Sequence, residues 1–529
     1  MNFVIGSGPA AISAAKALVA GGASVTILDT GKTLEPERQS VLDRMAGQSQ
    51  DQWTAGDLAL LRGGDQKARH GAIHSKQTYG SEYPYEDVAE PLQAAREHGT
   101  FNYSQARGGL SNVWGGSLLP CRAEDIADWP IALADLAPHY RAVLDFVPST
   151  EIADELAELL PVFKTSVAPL EPSRQAAAFL QDLRRHRPAL RRAGIHFGRS
   201  RMAVAAQGDA RRSECVRCGL CLYGCPHSLI YSSAQTLREL IDGGQVTYLD
   251  RQRVERFEPT PGGVTIHARD LRENIMQTFD AERVFVGCGV LPTAWLALRS
   301  LDAFDVPIEM LDSQYFIYPF FRLRRTPGVE SEALHSLGQA FLEIDDPAIS
   351  KHLVHLEIFG YSDFLKRALM ETPLRFLLRH RFFAEQILER LLVVQGFLHS
   401  ADSGRLTVTL RRGEDHRPML DVAASASRRA LLASLKTGWK LMTNALALRG
   451  LPVVPAIQFA EPGRSYHSGG TFPMRSAPGR FETDLLGRLP GLDRVHLVDA
   501  SVFPSIPATT ITLTIMANAH RIATQSLDS

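Results

Sequence analysis

The chain opens on two short apolar runs separated by a stretch of helical period. Phe3, Val4 and Ile5 are apolar without alternation, and two of them are β-branched, which predicts a buried parallel strand. Ala11, Ile12, Ala15, Leu18 and Val19 then recur on one helical face until Gly21-Gly22 stops the run, and Val25 to Leu28 make a second strand. The turn between first strand and helix is Gly6-Ser7-Gly8-Pro9-Ala10-Ala11, the G-x-G-x-x-A pattern. Its small residues permit a tight turn, close approach of backbone to a pyrophosphate, and close seating of helix on sheet. A pyrophosphate there would face the unpaired N–H groups of the helix N-terminus. Asp29 falls at the end of the second strand, about 20 residues past the glycines, where a carboxylate accepts from an unphosphorylated ribose.

Further along, the pattern changes several times. Residues 32–100 are polar with weak period and predict loops and short helices; residues 105–117 form a glycine-dense loop around Trp114, suited to pressing backbone against a flat ligand. From Glu124 to about Arg199 the period is helical, interrupted by Pro130, Pro161, Pro169 and Pro172. A helix is predicted from Ser232 to Ile241, alternating strands from Val246 to His267 and Thr278 to Val286, and another central strand with a glycine turn at Val284–Gly289. Phe364 to Leu398 is apolar with interspersed Arg and Lys, broken by Pro373; packing against the core or a second chain is expected in preference to lying on a membrane. Near the end, Tyr466-His467-Ser468-Gly469-Gly470 places a histidine in a glycine turn. Val495 to Asp499 reads as a buried strand ending in an acid, and a helix is predicted from Thr510 to Ile522 with its N-terminus toward the central crevice.

Composition narrows the function classes. The 529 residues suffice for two or more cores, and Lys plus Arg (57) balance Asp plus Glu (58), so no global basic field recruits nucleic acid or anionic lipid. The first strand begins at residue 2 or 3 and no apolar run is as long as a membrane span, so the expectation is a cytoplasmic protein without a signal peptide. Of six cysteines, four fall within eleven residues as Cys215-x2-Cys218-x2-Cys221-x3-Cys225-Pro226. That is the C-x2-C-x2-C-x3-C-P run of bacterial ferredoxins, in which three thiolates wrap one iron-sulfur cube and the fourth serves another cluster. The readings are a [4Fe-4S] or [3Fe-4S] cluster, with Cys225, Cys121 or Cys288 completing it where needed, a four-thiolate zinc site, redox-active thiols, or a loop without metal.

Taken together, the segments Gly6–Ala11, Gly108-Gly-Leu-Ser-Asn-Val-Trp-Gly115, Val284–Gly289, His467-Ser-Gly-Gly-Thr471 and Val498-Asp-Ala-Ser-Val-Phe-Pro504 resemble the glucose-methanol-choline (GMC) oxidoreductases. The resemblance covers most of the chain and is weakest over residues 300–460. It implies an α/β fold in which a Rossmann-like FAD-binding domain, discontinuous in sequence (1–125, 226–300, 465–529), is joined to an α+β substrate domain (126–214, 301–464), with the cysteine loop at 215–225. It also implies hydride transfer from an alcohol carbon, of a sugar or polyol, to flavin N5. His467 is then the general base. Thr510 stands where relatives usually hold a second His or Asn, and a hydroxyl there can position but not deprotonate. Gly6, Gly8, Pro9, Ala10, Ala11 and Asp29 are expected at the AMP half of FAD, Asp499 with Ala500 near the ribityl chain, and Gly109, Ser111 and Asn112 around the flavin or in a plain tight turn. Val113 stands where flavin-tethering relatives hold histidine, so a non-covalent FAD is expected. Similar sugar dehydrogenases pair an iron-sulfur cluster with FAD, which favours a dehydrogenase that passes electrons to an external acceptor over an oxidase.

Overall fold

The computed structural model describes residues 1–63, 77–86, 101–166, 168–208, 214–414 and 416–528. Strand β1 (Asn2–Ile5) and strand β2 (Val25–Leu28) are buried at every position and pair in parallel, with helix α1 (Pro9–Ala20) crossing between them. Three further strands extend the sheet. Arg283–Val286 lies beside β1 with Val495–Leu497 beyond it, and Thr247–Leu249 lies outside β2, so five parallel strands come from four distant parts of the chain. Their apolar runs lack alternation because both faces of such a sheet are covered. On one face α1 packs against the last helix, Thr512–Ser526, where Ser13 Oγ donates to the Met516 carbonyl at 2.7 Å.

A second, seven-stranded antiparallel sheet runs in the order Gly450–Pro452, Tyr315–Arg322, Leu391–Phe397, Val354–Phe359, Ala340–Ile344 and Ile195–Arg199, with Gln458–Phe459 added beside Tyr315–Arg322. Here the strand alternation positions the site. Phe316, Tyr318, Leu356, Ile358 and Val394 point into a core shared with the helices Arg174–Arg185 and Arg428–Thr443. Their neighbours Tyr315, Ile317, Glu357, Phe359, Gln395 and Phe397 line a cavity on the opposite face.

A four-stranded antiparallel sheet (Pro307–Asp312, Arg405–Arg412, Pro418–Ser425, Ser468–Gly469) packs Met310, Val408, Leu410 and Leu420 into the core of the parallel sheet. Pairing of Ser468 with Asp312 sets the histidine turn at its edge.

The structure differs from the sequence expectation at several places. The helical insert ends in a strand, Ile195–Arg199, whose Ile195 and Phe197 alternate with His196 and Gly198 over too few residues to displace a helical reading. The last helix starts at Thr512 and not at Thr510. The stretch from Phe364 resolves into helices Asp363–Met370, Arg375–Leu378 and Arg381–Leu388, with Pro373 in the break, followed by the strand Leu391–Phe397. Leu378, Ala384 and Leu388 are buried as core packing requires, but Phe376, Leu377, Phe382 and Phe383 are exposed. Of the polar stretch 32–100, residues 64–76 and 87–100 lie outside the described residues.

Candidate active site

A cavity of about 490 Å³ runs between the parallel sheet and the seven-stranded sheet. Gly6, Ser7, Gly8, Pro9 and Asp29 wall one end; Glu357, His467 and Thr510 belong to the other.

The first end is built from close backbone contacts. Gly6 has φ +96°, and a Cβ there would lie 2.9 Å from the Gly287 carbonyl oxygen; a Cβ on Gly287 would lie 2.7 Å from the Ala11 nitrogen. The turn therefore requires both glycines, and α1 starts tight against the strand end. No side chain caps α1, and its N-terminus, with Gly8, Pro9 and Ala10 lining the cavity, turns the positive end of the helix dipole toward it. Asp29 sits at the end of β2 and accepts from Ser7 Oγ at 2.5 Å and from Tyr248 OH at 3.0 Å on the same oxygen. Burial raises its pKa to about 6, against the lowering effect of these bonds and of Arg107.

The glycine-dense loop is held by its own side chains and by bonds to Ser7 and to residues 231–233. Ser111 Oγ donates to the Gly108 carbonyl and accepts from Ser233 N at 3.0 Å, while Asn112 Nδ2 donates to the carbonyls of Arg107 (2.9 Å) and Gly109 (2.8 Å). These side chains shape the turn; Gly109, Leu110, Ser111, Val113 and Trp114 line the cavity, and Asn112 does not. Asp499 is similarly engaged: it accepts from Gly289 N at 2.9 Å, Thr293 Oγ1 at 2.6 Å and Ser501 N at 2.9 Å, tying two helical turns to the strand before it. It lines the cavity with Ala500, but three donors already occupy its carboxylate. The Ala500 carbonyl in turn accepts from Gly470 N at 2.9 Å and fixes the histidine turn.

At the other end His467 lies with its ring 4.8 Å from Phe397, and its Nδ1 is buried without a hydrogen-bond partner. Burial lowers its pKa to about 4, partly offset by Glu357, so the imidazole is neutral at pH 7. Thr510 Oγ1, in the same wall, is likewise buried and unpartnered. Unmade hydrogen bonds on buried polar atoms cost free energy, and two of the residues that carry them line this one cavity. The histidine turn is anchored by Asp312, a residue the sequence pattern did not single out. Asp312 accepts from Gly463 N at 2.9 Å, Ser465 Oγ at 2.5 Å and Ser468 Oγ at 3.0 Å, and Ser465 Oγ accepts from His467 N at 3.0 Å.

A buried charged chain beside His467 was also missed. His355 Nδ1 lies 2.6 Å from Glu343 Oε1, its Nε2 lies 3.7 Å from Glu357 Oε1, and Glu357 lines the cavity. Burial alone would lower the His355 pKa; Glu343 and Glu357 outweigh it and raise it to about 9, while His355 holds Glu357 below the usual carboxylate value despite burial. Alternation in 340–344 and 354–359 was the signal available, since Glu343 on one strand faces His355 on its neighbour.

The metal centre expected at the cysteine loop finds no support among the described residues. Among the described residues no group of three or more His, Cys, Asp and Glu is arranged to hold a metal ion. Cys218 packs in one small apolar cluster, and Cys215, Cys221 and Cys225 border another. Burial, with neighbouring sulfurs adding to it, pushes the Cys218 and Cys225 thiols up to about 12. Cys121 and Cys288 do not complete a set: Cys121 lies in the main core 3.2 Å from Tyr140 OH, and Cys288 Sγ donates to the Ile5 carbonyl at 3.5 Å. Spacing reports which residue types a loop carries, whereas ligation depends on where the loop points each sulfur.

No curated protein matches the chain. The solved structure of pyridoxine 4-oxidase from Mesorbium loti is similar over 100% of this chain and 99% of that one, with a TM-score of 0.59 at 14% identity. Residues 401–519, which contain His467, Asp499 and Thr510, match the C-terminal family model described as GMC oxidoreductase, and the chain as a whole has the fold of that oxidase.

Proposed function

We propose that this protein is an FAD-dependent oxidoreductase that oxidises the CH–OH group of a small alcohol. The observation that carries the reading is a single cavity with an uncapped helix N-terminus and Asp29 at one end and two unpartnered buried polar atoms, His467 Nδ1 and Thr510 Oγ1, at the other. The residues fit the flavin. Gly6, Gly8 and the N-terminus of α1 suit its pyrophosphate, Asp29 its AMP half, and Val113 offers no tether, so FAD is held non-covalently. Bound FAD supplies the hydride acceptor.

The chain supplies the rest. His467, neutral at pH 7, takes the hydroxyl proton at its ring nitrogen, because an alcohol proton has a pKa far above 7 and the carbon–hydrogen bond breaks readily only as the oxygen becomes negative. Thr510 Oγ1 orients that hydroxyl by hydrogen bond. The Glu357 carboxylate stabilises the imidazolium that His467 becomes, and its ionisation is maintained by His355. The substrate class is a hydroxylated small molecule of sugar or polyol type. No electron step is assigned to the cysteine loop, and the reoxidation experiment decides between dehydrogenase and oxidase.

The test is anaerobic bleaching of the bound flavin by a panel of sugars, polyols and pyridoxine, followed by reoxidation with air or with a dye. Bleaching by one class, slowed about 10²- to 10⁴-fold in His467→Ala with flavin still bound, supports the reading. Equal bleaching in the variant contradicts it. Fast peroxide formation in air makes the enzyme an oxidase.

A further inference from the structure

Large apolar side chains are exposed in two helical stretches. In the first, Phe376, Leu377, Phe382 and Phe383 stand in solvent on the helices Arg375–Leu378 and Arg381–Leu388, with Phe382 65% exposed. In the second, the helix Arg428–Thr443 exposes Leu431, Leu432, Leu435 and Trp439. At about 100° per residue these four fall within one third of the helix circumference, opposite the buried Ala430, Ala433, Ser434 and Leu441.

Both stretches reach the same end of the seven-stranded sheet. Arg322 N donates to the Arg390 carbonyl at 3.0 Å and Leu323 N to the Arg449 carbonyl at 2.9 Å, so the chain leaving the first stretch and the chain leaving the second flank one strand end. Leu323 and Leu451 are themselves exposed in that seam.

The second stretch is one-sided in charge, whereas the first is mixed, with Glu371, Glu385 and Glu389 among its Arg and Lys residues. Residues 428–451 hold Arg428, Arg429, Lys436, Lys440 and Arg449 and no Asp or Glu, in a chain whose net charge is −1. Around the first patch Arg375 and Arg379 sit 5.0 and 5.9 Å from the Phe376 ring centroid, while the exposed Arg381 pairs with Glu385 at 2.8 Å.

We propose that this apolar and basic end of the substrate-side sheet docks on an anionic lipid surface. Phe, Leu and Trp side chains suit the boundary between acyl chains and headgroups, and Lys and Arg beside them suit anionic headgroups. A second copy of the chain is the poorer occupant, because a symmetric contact would set the acid-free 428–451 segments of both copies against each other. No helix among the described residues is long and apolar enough to cross a membrane, so the attachment is peripheral. Phe364, in the helix that opens the first stretch, lines the cavity, and docking brings that part of its wall beside the bilayer. This goes beyond the proposed alcohol chemistry and does not depend on it.

Co-sedimentation of the full chain with phosphatidylcholine vesicles, with and without phosphatidylglycerol, tests the proposal. The chain pellets with the phosphatidylglycerol vesicles at low salt and is released at high salt. Phe382→Ser/Phe383→Ser/Trp439→Ser lowers the partition constant at least about tenfold, and Arg375→Gln/Arg428→Gln lowers it about fivefold per charge, with circular dichroism unchanged. Absence of binding to either vesicle, binding that the substitutions leave intact, or a dimer in sedimentation velocity that these substitutions dissolve would overturn it, the last by assigning the face to a second copy.

Discussion

His467 is the residue on which the proposed chemistry turns, and its surroundings give it an unusual acid–base setting. With its pKa lowered to about 4 by burial, it stays deprotonated and able to accept a proton down to that value. The acid limb of kcat/KM is therefore expected near pH 4, well below the reference imidazole value of about 6.5. Because Glu357 is the group that raises the His467 pKa against burial, Glu357→Gln should move that limb to still lower pH and reduce kcat by about tenfold or more. A limb that stays in place would remove Glu357 from the account. His467 was legible in the sequence because a histidine between Tyr466 and a Ser-Gly-Gly turn, close to an Asp499-ended strand, forms a dense local pattern. Glu357, His355 and Asp312 were not. Each sits on a strand where alternation shows only that a side chain points to one face, and their partners are brought by strand pairing or by a turn far along the chain. The cysteine run was the reverse case, a strong local pattern for which no metal-holding group stands among the described residues.

Among the elements, the junction of β1, α1 and the strand Arg283–Val286 has the least room. A Cβ on Gly287 would meet the Ala11 backbone at 2.7 Å, so Gly287→Ala is expected to destabilise the protein by about 1–3 kcal/mol and to weaken FAD binding, read by thermal unfolding with and without FAD. The pair of strands carrying Glu343, His355 and Glu357 should impose a pH dependence of its own. The folded-state pKa of His355, about 9, lies above its unfolded value of about 6.5, so its contribution to stability is complete below about pH 6.5 and is lost as pH rises through about 9. His355→Gln should lower stability by about 3–5 kcal/mol at pH 6 and flatten the decline of Tm between pH 6.5 and 9. A decline that persists in the variant would place its source elsewhere. The parallel strands and α1 were readable because their runs are unbroken and bounded by glycine. The strand Ile195–Arg199 and the three short helices after Ser362 were not, since four to eight residues carry too little period to separate strand from helix.

At the scale of the molecule, one cavity draws its walls from the first thirty residues, the middle sheet and the last seventy residues, and this is why local reading found both ends of the site and missed its floor. The balance of 57 basic and 58 acidic residues hid a segregation that only the folded chain shows, with the exposed apolar residues and the acid-free segment 428–451 at one end of a sheet. The central claim is that this cavity is a flavin site, and the most direct measurement is the absorption spectrum and FAD content of the folded full chain after incubation with excess FAD and gel filtration. One FAD carried with each chain, with bands shifted from those of free flavin, is the predicted result. A folded protein that elutes without flavin absorption would contradict it.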